Sequence, residues 1–321
     1  MTKPYLFITR KLPDEVVDPF REHLDITMWD SKEEAVKPER LLKEAKQADG
    51  LLTMLSDSIH EDVLRQAENL KVVANLAVGF DNIDIEAAKK HNITVTNTPD
   101  VLTETTADLT FGLLMATARR MMEAAAFVKE GEWKHWSPLL MAGSDIHHKT
   151  IGIVGMGRIG EAVAKRARGF DMNVLYYNRT RKQEVEDKLG VEYVSFDHLI
   201  NKADFVVSLV PLTEETEKLF NEVVFNKMKR EAIFINVSRG KVMDEKALFH
   251  AITSGEIKGA GLDVFEEEPI SATHPLLSLN EVVCLPHIGS ASRETRYNMM
   301  KLSLDNVLNV LQGKDPSTPV N

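Results

Sequence analysis

The chain contains 321 residues, which is long for a single hydrophobic core and therefore predicts two domains. Hydrophobic residues make up 43% and charged residues 27% of the sequence, as is ordinary for a soluble globular protein. A net charge of −10 argues against a nucleic-acid-binding surface, because such surfaces need clustered positive charge to displace counterions.

Short apolar runs alternate with helix-length segments throughout the first hundred residues. Strands separated in this way are joined by crossovers, which predicts a parallel sheet of βαβ units. The five predicted strands cover Tyr5–Thr9, Asp25–Trp29, Gly50–Thr53, Lys71–Asn75 and Thr94–Thr96. Helices are predicted between them, for example over Pro38–Gln47 and Glu61–Ala67. This part of the chain is expected to form a small doubly wound domain.

A proline-containing turn, Asn97–Asp100, interrupts the alternation and precedes a long predicted helix at about Glu104–Glu130. Pro99 restricts the residue before it, and Asp100 can cap the helix that follows. Within the helix, Ala107–Ala118 is apolar on nearly every face. Such a helix is expected to be buried on several sides, between two domains or two subunits.

A second alternating series begins at Thr150 and predicts a larger domain. Its strands are expected over Ile151–Val154, Asn173–Tyr177, Phe205–Leu209, Ala232–Asn236, Gly259–Asp263 and Val282–Leu285, with a weak strand near Tyr193. After Pro286, an amphipathic pattern predicts a last helix at about Ser292–Leu311. The last residues, Pro316–Asn321, are expected to form a poorly ordered tail.

Three features bear on where the protein works. The segment Met1–Arg10 lacks a charged leader followed by a long apolar stretch, so we expect no signal peptide. No run approaches the roughly 18 apolar residues that are needed to span a bilayer. The only cysteine, Cys284, lies in an apolar run and is expected to be a small buried residue. We therefore expect a reducing, cytoplasmic location.

A glycine-rich motif follows the first strand of the second series. Residues 155–160 read G-x-G-x-x-G, and they open the helical run Arg158–Phe170, which is the context that a dinucleotide-binding motif requires. Gly155 permits the tight turn, Gly157 lets the backbone approach a pyrophosphate, and Gly160 lets helix and strand pack closely. The helix amino terminus then favours the anion.

The end of the next strand predicts which dinucleotide binds. Sites for NAD place Asp or Glu there to bind the ribose 2′-hydroxyl, whereas this chain has Asn178 followed by Arg179-Thr180-Arg181-Lys182. Three basic residues and a hydroxyl can receive a 2′-phosphate, so NADPH is the expected cofactor, with NADH weaker. A solvated basic loop is the alternative interpretation.

Three polar sites follow later strands and can converge on a nicotinamide. Arg239 can bind a substrate carboxylate through its bidentate fork, and His287 can transfer a proton near neutral pH. An acidic cluster, Glu266–Glu268, follows a neighbouring strand, and position alone does not choose among its three members. His147 and His148 have no further ligand at metal spacing, so we interpret them as surface residues and expect no metal.

The motifs around these residues resemble a known family. Asn-Val-Ser-Arg-Gly at 236–240, Gly-Leu-Asp-Val-Phe-Glu-Glu-Glu-Pro at 261–269 and Pro-His-Ile-Gly-Ser at 286–290 are similar to three signatures of the D-isomer-specific 2-hydroxyacid dehydrogenases. The resemblance spans essentially the whole chain. It implies two α/β domains, each with a doubly wound parallel sheet: a discontinuous flavodoxin-like substrate domain (1–99 plus 287–321) and a Rossmann cofactor domain (100–286), with the active site in the cleft between them.

The resemblance also implies roles for individual residues. Arg239 would bind the substrate, His287 would be the general acid in reduction, and Glu268 would pair with His287. The residues implied to bind substrate are Leu55, Val78, Gly79, Arg239, His287, Ser290 and Trp136. Those implied to bind the cofactor are Gly155, Gly157, Arg158, Ile159, Gly160, Asn178, Arg179, Thr180, Arg181, Pro211, Val237, Arg239, Asp263, His287 and Gly289.

Within the family, three segments resemble the glyoxylate/hydroxypyruvate reductases: Leu55–Asp57, Pro99–Thr103 and Gly131–Trp136. This predicts NADPH-dependent reduction of glyoxylate and hydroxypyruvate. A homodimer is also expected, in which Trp136 reaches the partner's active site. Three alternatives remain open: a dehydrogenase for another 2-keto acid, a dinucleotide-sensing binding protein like the C-terminal-binding-protein co-repressors, and a Rossmann protein without activity.

Overall fold

The computed structural model describes residues 2–321, and the chain forms two compact units. One unit ends at Leu102 and resumes over Ala291–Asn321, and the other spans Thr103–Ser290. The predicted boundaries lay a few residues earlier, at 99 and 286. The segment His287–Ser290 belongs to the second unit because the Asp263 carboxylate accepts hydrogen bonds from the backbone N–H groups of Ile288 (2.8 Å) and Gly289 (2.7 Å).

The first unit is built on a five-stranded sheet. Its strands are β1 (Tyr5–Ile8), β2 (Asp25–Met28), β3 (Gly50–Thr53), β4 (Val72–Asn75) and β5 (Thr94–Thr96). Their order is β2-β1-β3-β4-β5 and every pairing is parallel, which is the flavodoxin-like doubly wound arrangement. Its helices are α1 (Asp14–Val17), α2 (Pro38–Ala45), α3 (Glu61–Leu64) and α4 (Ile85–Lys90), together with α12 (Arg293–Leu311) from the returning segment.

The central strands of this sheet are covered on both faces. All four residues of β3 and of β4 are buried, as continuous apolar runs in parallel sheets require. The last helix, α12, packs against β3 and β4, where a Cβ added at Gly50 would lie 3.3 Å from Val307 Cγ1. Ser292 caps α12 by accepting a hydrogen bond from the Thr295 N–H group at 3.2 Å.

The carboxyl-terminal residues correct one prediction. The segment Pro316–Asn321, expected to be a poorly ordered tail, pairs with the outer edge of β5. The Val320 N–H group donates to the Val95 carbonyl at 2.8 Å, and the Asn321 side chain bonds the backbone at Val95 and Ile93. An edge strand exposes a row of unpaired N–H and C=O groups, and this segment satisfies them.

The second unit is built on a seven-stranded parallel sheet. Its strands are β6 (Thr150–Val154), β7 (Asn173–Tyr177), β8 (Glu192–Tyr193), β9 (Phe205–Ser208), β10 (Ile233–Asn236), β11 (Gly259–Leu262) and β12 (Val282–Cys284). The strand order is β12-β11-β10-β9-β6-β7-β8. The topological switch point therefore lies between β6 and β9, where the glycine-rich loop leaves the sheet. The predicted fold, a Rossmann unit and a flavodoxin-like unit, is confirmed.

Seven helices accompany this sheet: α5 (Thr103–Ala118), α6 (Met121–Lys129), α7 (Arg158–Arg168), α8 (Gln183–Leu189), α9 (Phe196–Lys202), α10 (Glu222–Lys227) and α11 (Glu245–Thr253). Two cores lie on its two faces. One contains residues of α5 and α7 with Tyr176, and the other contains residues of α9, α10 and α11 with Phe220 and Phe234. Helices were expected between the strands of this unit, and the structure gives the bounds of α8 to α11, which the sequence analysis had not assigned.

The prediction of a single long helix over Glu104–Glu130 is wrong, because the helix is interrupted between Ala118 and Met121. The Ala118 carbonyl accepts from the Ser144 N–H group at 2.8 Å instead of continuing the helix. Arg120 adopts a left-handed conformation with φ 52°, and its guanidinium binds Glu123 through two contacts of 2.6 and 2.8 Å. The apolar part is buried as expected, with eight buried residues in α5, whereas α6 has none.

Candidate active site

The glycine-rich loop has the local geometry that its sequence predicts. Gly155 has φ +103°, and a Cβ added there would lie 2.7 Å from the Leu209 carbonyl carbon, so only glycine fits. A Cβ at Gly160 would lie 2.4 Å from the Gly155 carbonyl oxygen. The loop thus packs closely between the backbone at Leu209, after β9, and the first turn of α7.

The amino terminus of α7 fits a pyrophosphate. Gly157 is the N-cap residue, and a Cβ added there would meet nothing within 4 Å, so the space above the helix start is open. Glycine offers no side-chain acceptor to the first-turn N–H groups, and the helix dipole adds positive potential. A group of the size and charge of a dinucleotide pyrophosphate can therefore approach the backbone here.

The loop Asn178–Lys182, after β7, is held by its own side chains. The Asn178 amide donates to the Thr180 carbonyl at 3.0 Å. The Lys182 N–H group donates to the Tyr176 hydroxyl at 2.8 Å, and that hydroxyl donates to Glu186 Oε1 at 2.9 Å. These hydrogen bonds hold the loop at the carboxyl edge of the sheet.

The two arginines of this loop have different surroundings. Both arms of the Arg181 guanidinium bind the Glu186 carboxylate at 2.8 Å, and this hydrogen bonding raises the pKa of Arg181 and lowers that of Glu186. Arg179 has one contact, at 3.4 Å to Glu215, and its side chain is 80% exposed. An incoming phosphate would have to displace a bidentate carboxylate from Arg181 but only a long, exposed contact from Arg179.

The turn that carries Arg239 is organised by the buried Asn236. The Asn236 amide donates to the Arg239 carbonyl at 2.9 Å, and its Oδ1 accepts from the backbone N–H and the hydroxyl of Ser238 at 3.1 and 2.8 Å. The Ser238 hydroxyl also contacts Ser208 at the end of β9, at 3.1 Å. Arg239 is partly buried, and its Nη1 donates to the Ser238 carbonyl at 2.9 Å.

The turn that carries His287 is hydrogen-bonded to the carboxylate of Asp263, the residue that follows β11. Both Asp263 oxygens accept backbone N–H groups, from Ile288 and Gly289, and the residue is 1% exposed. Burial raises the pKa of Asp263 above its ordinary value, against the effect of these N–H groups and of His287. His287 itself has φ +52°, an uncommon conformation for a residue other than glycine and one that is often found at functional sites.

His287 and Glu268 form a close pair. His287 Nδ1 lies 2.7 Å from Glu268 Oε2, and about a quarter of each side chain is exposed, 24% and 27% respectively. The other Glu268 oxygen accepts the Phe265 N–H group at 3.0 Å. A carboxylate on Nδ1 orients the imidazole and leaves Nε2 to exchange a proton with a ligand. The structure thereby distinguishes Glu268 from Glu266 and Glu267, which sequence position alone did not.

The remaining predicted cofactor and substrate residues of this unit lie at the same edge of the sheet. Pro211 follows β9, Val237 follows β10, and Gly289 and Ser290 follow β12. Because carboxyl ends of parallel strands share one edge, the glycine loop, Arg239 and His287 are brought to one side of the sheet. Trp136 lies elsewhere, in the segment after α6, with 77% of its surface exposed.

The predicted substrate loop lies in the first unit, after β4. The carbonyls of Val78 and Gly79 accept from the side chains of Asn97 (2.8 Å) and Asn75 (2.9 Å). The Asn82 amide donates to the carbonyls of Met54 and Asp57 and so ties this loop to the Leu55 segment. The positioning roles of Asn75, Asn82 and Asn97 were not predicted, although Asn75 and Asn97 stand at strand ends, where polar residues are a usable signal.

Three further predictions concern metal binding, membrane insertion and the single cysteine. His147 is 62% exposed beside Asp145, and residues 2–321 contain no group of three or more metal-ligating side chains. Over the same residues, no helix combines the length and apolar character needed to cross a bilayer. Cys284 is only partly buried, although burial raises the pKa of its thiol to about 11.

Comparison with known proteins agrees with this geometry. Residues 111–289 match the family described as D-isomer specific 2-hydroxyacid dehydrogenase, NAD binding domain. The chain is 49% identical to a glyoxylate reductase of Korarchaeum cryptofilum, over 99% of this chain and 96% of that protein.

Solved structures agree in the same way. A protein from Thermus thermophilus superposes with a TM-score of 0.92 and 44% identity, covering 99% of this chain and all of that one. An NADPH-dependent glyoxylate/hydroxypyruvate reductase from Sinorhizobium meliloti, solved with NADP and malonate, gives 0.85 and 32%, covering 99% and 97%. The chain therefore belongs to the D-isomer specific 2-hydroxyacid dehydrogenases and is an enzyme that uses a nicotinamide dinucleotide.

Proposed function

We propose that this enzyme reduces glyoxylate to glycolate and hydroxypyruvate to D-glycerate, with NADPH as the preferred cofactor. The observation that carries the proposal is the 2.7 Å contact between His287 Nδ1 and Glu268, at the sheet edge that also presents Arg239 and the glycine loop. Relatives that share about half of the sequence are named glyoxylate reductases, which supports the choice of substrate.

The proton in this reaction comes from His287. Glu268 stabilises the protonated imidazole through Nδ1, and Nε2 donates its proton to the carbonyl oxygen of the keto acid. Reduction also needs a hydride, which the reduced nicotinamide supplies when it is bound. The products would be the 2-hydroxy acid, the oxidised dinucleotide and a neutral His287 whose Nδ1–H group still donates to Glu268. In the oxidative direction the same imidazole accepts the proton.

Arg239 binds the carboxylate and polarises the carbonyl of the substrate in this proposal. Its guanidinium is planar and carries five N–H groups, a geometry suited to two neighbouring oxygens. The Asn236 turn and the Ser238 carbonyl hold the arginine at the end of β10. A lysine at this position would keep the charge but lose the bidentate geometry, so Arg239→Lys should raise KM for the keto acid and lower kcat.

The cofactor preference rests on the loop after β7. It contains no carboxylate that would repel a 2′-phosphate, and Arg179, Thr180 and Arg181 are exposed there. The neutral Asn178 tolerates a ribose hydroxyl, so NADH should support weak activity. The Sinorhizobium meliloti relative that was solved with NADP supports this preference.

The test is a spectrophotometric measurement of NADPH oxidation with glyoxylate, hydroxypyruvate, pyruvate and branched or aromatic 2-keto acids. We expect the two small polar keto acids to give the highest kcat/KM. His287→Asn should lower kcat by roughly 10²–10⁴, as expected for lost acid catalysis, while NADPH binding measured by fluorescence is kept. His250→Asn, at an exposed histidine of α11, is the matched control and should behave as wild type.

Three results would contradict the proposal. Preference for a bulky keto acid would show that the substrate belongs to another class within the family. Tight NADPH binding without turnover of any keto acid would favour a dinucleotide-sensing protein. Near-normal turnover by the His287→Asn variant would exclude His287 as the acid.

A further inference from the structure

A second pair of histidine and glutamate side chains, His274 and Glu245, is hydrogen-bonded to the loop that carries Glu268. His274 Nε2 is 3.1 Å from Glu245 Oε2, in a place where Glu245 is 9% exposed. His274 Nδ1 accepts the Leu276 N–H group at 3.4 Å, so Nε2 is the nitrogen that carries the proton and donates it to Glu245. A buried carboxylate needs such partners, because desolvation without them is costly.

Glu245 is joined to the loop that carries Glu268. Its Oε1 accepts the Glu266 N–H group at 2.8 Å, and Glu266 Oε1 accepts the Glu245 N–H group at 3.2 Å. The two residues thus exchange reciprocal side-chain-to-backbone hydrogen bonds between the start of α11 and the loop. This arrangement fixes the peptide group at Glu266 in position and orientation.

The preceding N–H group of the loop, that of Phe265, binds Glu268 itself. The Phe265 N–H group donates to Glu268 Oε1 at 3.0 Å, and Glu268 Oε2 is the atom that contacts His287. Consecutive N–H groups of the loop therefore bind the carboxylates of Glu268 and Glu245. On its other side the loop backbone lies against Gly240, where an added Cβ would fall 1.8 Å from the Phe265 carbonyl carbon.

We infer that Glu245, held by His274, is a positioning residue that fastens the Phe265–Glu268 loop and so keeps Glu268 on Nδ1 of His287. This inference rests on the proposed function, because it requires His287 and Glu268 to be the proton-transfer pair. Glu245 touches neither His287 nor Glu268 directly. Its effect passes through the backbone between Phe265 and Glu266.

The test compares pH profiles of kcat for glyoxylate reduction. Glu245→Ala removes the acceptor for the Glu266 N–H group, so we expect kcat to fall about tenfold to a hundredfold through misplacement of Glu268. The basic limb of the profile should move to lower pH, because a less well placed carboxylate stabilises the imidazolium less. KM for NADPH should stay within about twofold, since misplacement acts on the proton-transfer pair and not on the phosphate-binding loop.

Three variants make the readout specific to positioning. Glu245→Gln keeps an oxygen for the Glu266 N–H group but loses the acceptor for His274 Nε2, and it should retain kcat within about threefold of wild type because the bond to the loop is kept. Glu222→Ala is the matched control, because Glu222 is likewise the first residue of a neighbouring helix, α10, but is exposed. His274→Ala should move the basic limb in the same direction as Glu245→Ala, and it replaces that variant if the latter does not fold.

A double variant separates failure of this inference from failure of the proposed function. Glu268→Gln alone should move the basic limb to lower pH, and adding Glu245→Ala to it should move the limb no further. An unchanged limb in Glu268→Gln overturns the proton-transfer pair and this inference with it. A shifted limb in Glu268→Gln with an unchanged limb in both Glu245→Ala and His274→Ala overturns only the positioning role. A further shift in the double variant also overturns it, because Glu245 would then act by another route.

Discussion

Replacing Arg179 and Arg181 separately should show which arginine recognises the 2′-phosphate of NADPH. The bidentate pair with Glu186 occupies Arg181, whereas Arg179 has one contact of 3.4 Å and an 80% exposed side chain. We therefore expect Arg179→Ala to lower kcat/KM for NADPH more than Arg181→Ala does. Neither substitution should change kcat/KM for NADH by more than about twofold, because the ribose hydroxyl is uncharged.

The expected magnitude follows from exposure. A well-formed hydrogen bond between charged groups contributes about 1.5–3 kcal/mol, whereas exposed ion pairs in water contribute about 0.2–1 kcal/mol. The phosphate carries nearly two charges, so a contact from the exposed Arg179 should contribute about 1.4 kcal/mol, which corresponds to about a tenfold loss of kcat/KM. For Arg181→Ala we expect a loss of about threefold or less, since phosphate binding there must first displace Glu186.

Glu186→Gln distinguishes direct recognition from loop ordering. If Arg181 read the phosphate and Glu186 only competed for it, this variant would release Arg181 and raise kcat/KM for NADPH. We expect no such gain, because the contacts from Glu186 to Arg181 and Tyr176 order the loop. The assay is steady-state oxidation of NADPH and NADH with saturating glyoxylate. Equal wild-type efficiencies with both cofactors, or a larger loss for Arg181→Ala than for Arg179→Ala, would refute the reasoning.

Three other predictions concern stereochemistry, assembly and the single thiol. Oxidation should be faster with D-glycerate than with L-glycerate when the two enantiomers are supplied separately and reduction of NADP+ is followed, and preference for the L-acid would contradict the substrate hypothesis. Sedimentation should show a homodimer at micromolar concentration, because Trp133, Trp136 and Leu139 are 57%, 77% and 82% exposed and large apolar patches are seldom left in contact with water. A double Trp133→Ser, Trp136→Ser variant should be largely monomeric. A monomeric wild type would exclude the dimer. Desolvation raises the pKa of Cys284 from 9.0 to about 11, so iodoacetamide at pH 8 should alkylate it roughly a hundredfold more slowly than after unfolding in urea; equal rates would show that burial does not control the thiol.

The local patterns of the sequence were sufficient for the fold and for choosing candidate site residues. Alternating strand and helix lengths predicted both parallel sheets, and every named strand of the structure overlaps a predicted one. The glycine motif at 155–160 could be recognised because it follows a predicted strand and opens a predicted helix, and in the structure Gly155 and Gly160 leave no room for a side chain. Arg239 and His287 could be chosen because strand ends of a doubly wound sheet are where ligands bind. Their catalytic roles stay predictions until the variants are measured.

Only the tertiary structure decided which groups are paired, because pairing depends on distances between residues far apart in the chain. The Glu268–His287 pair was expected only from the family resemblance, and the structure places the two side chains in contact. The pairs of Arg181 with Glu186 and of Asp263 with the Gly289 N–H group were not expected at all. The carboxyl-terminal segment is ordered for the same reason, since its hydrogen-bond partners on and beside β5 lie more than two hundred residues earlier. Helix propensity depends only on the residues of the segment itself. It therefore could not predict that α5 ends at Ala118, where the carbonyl accepts the Ser144 N–H group. Local preference predicts what a segment can form, and contacts distant in sequence decide where it ends and what it holds.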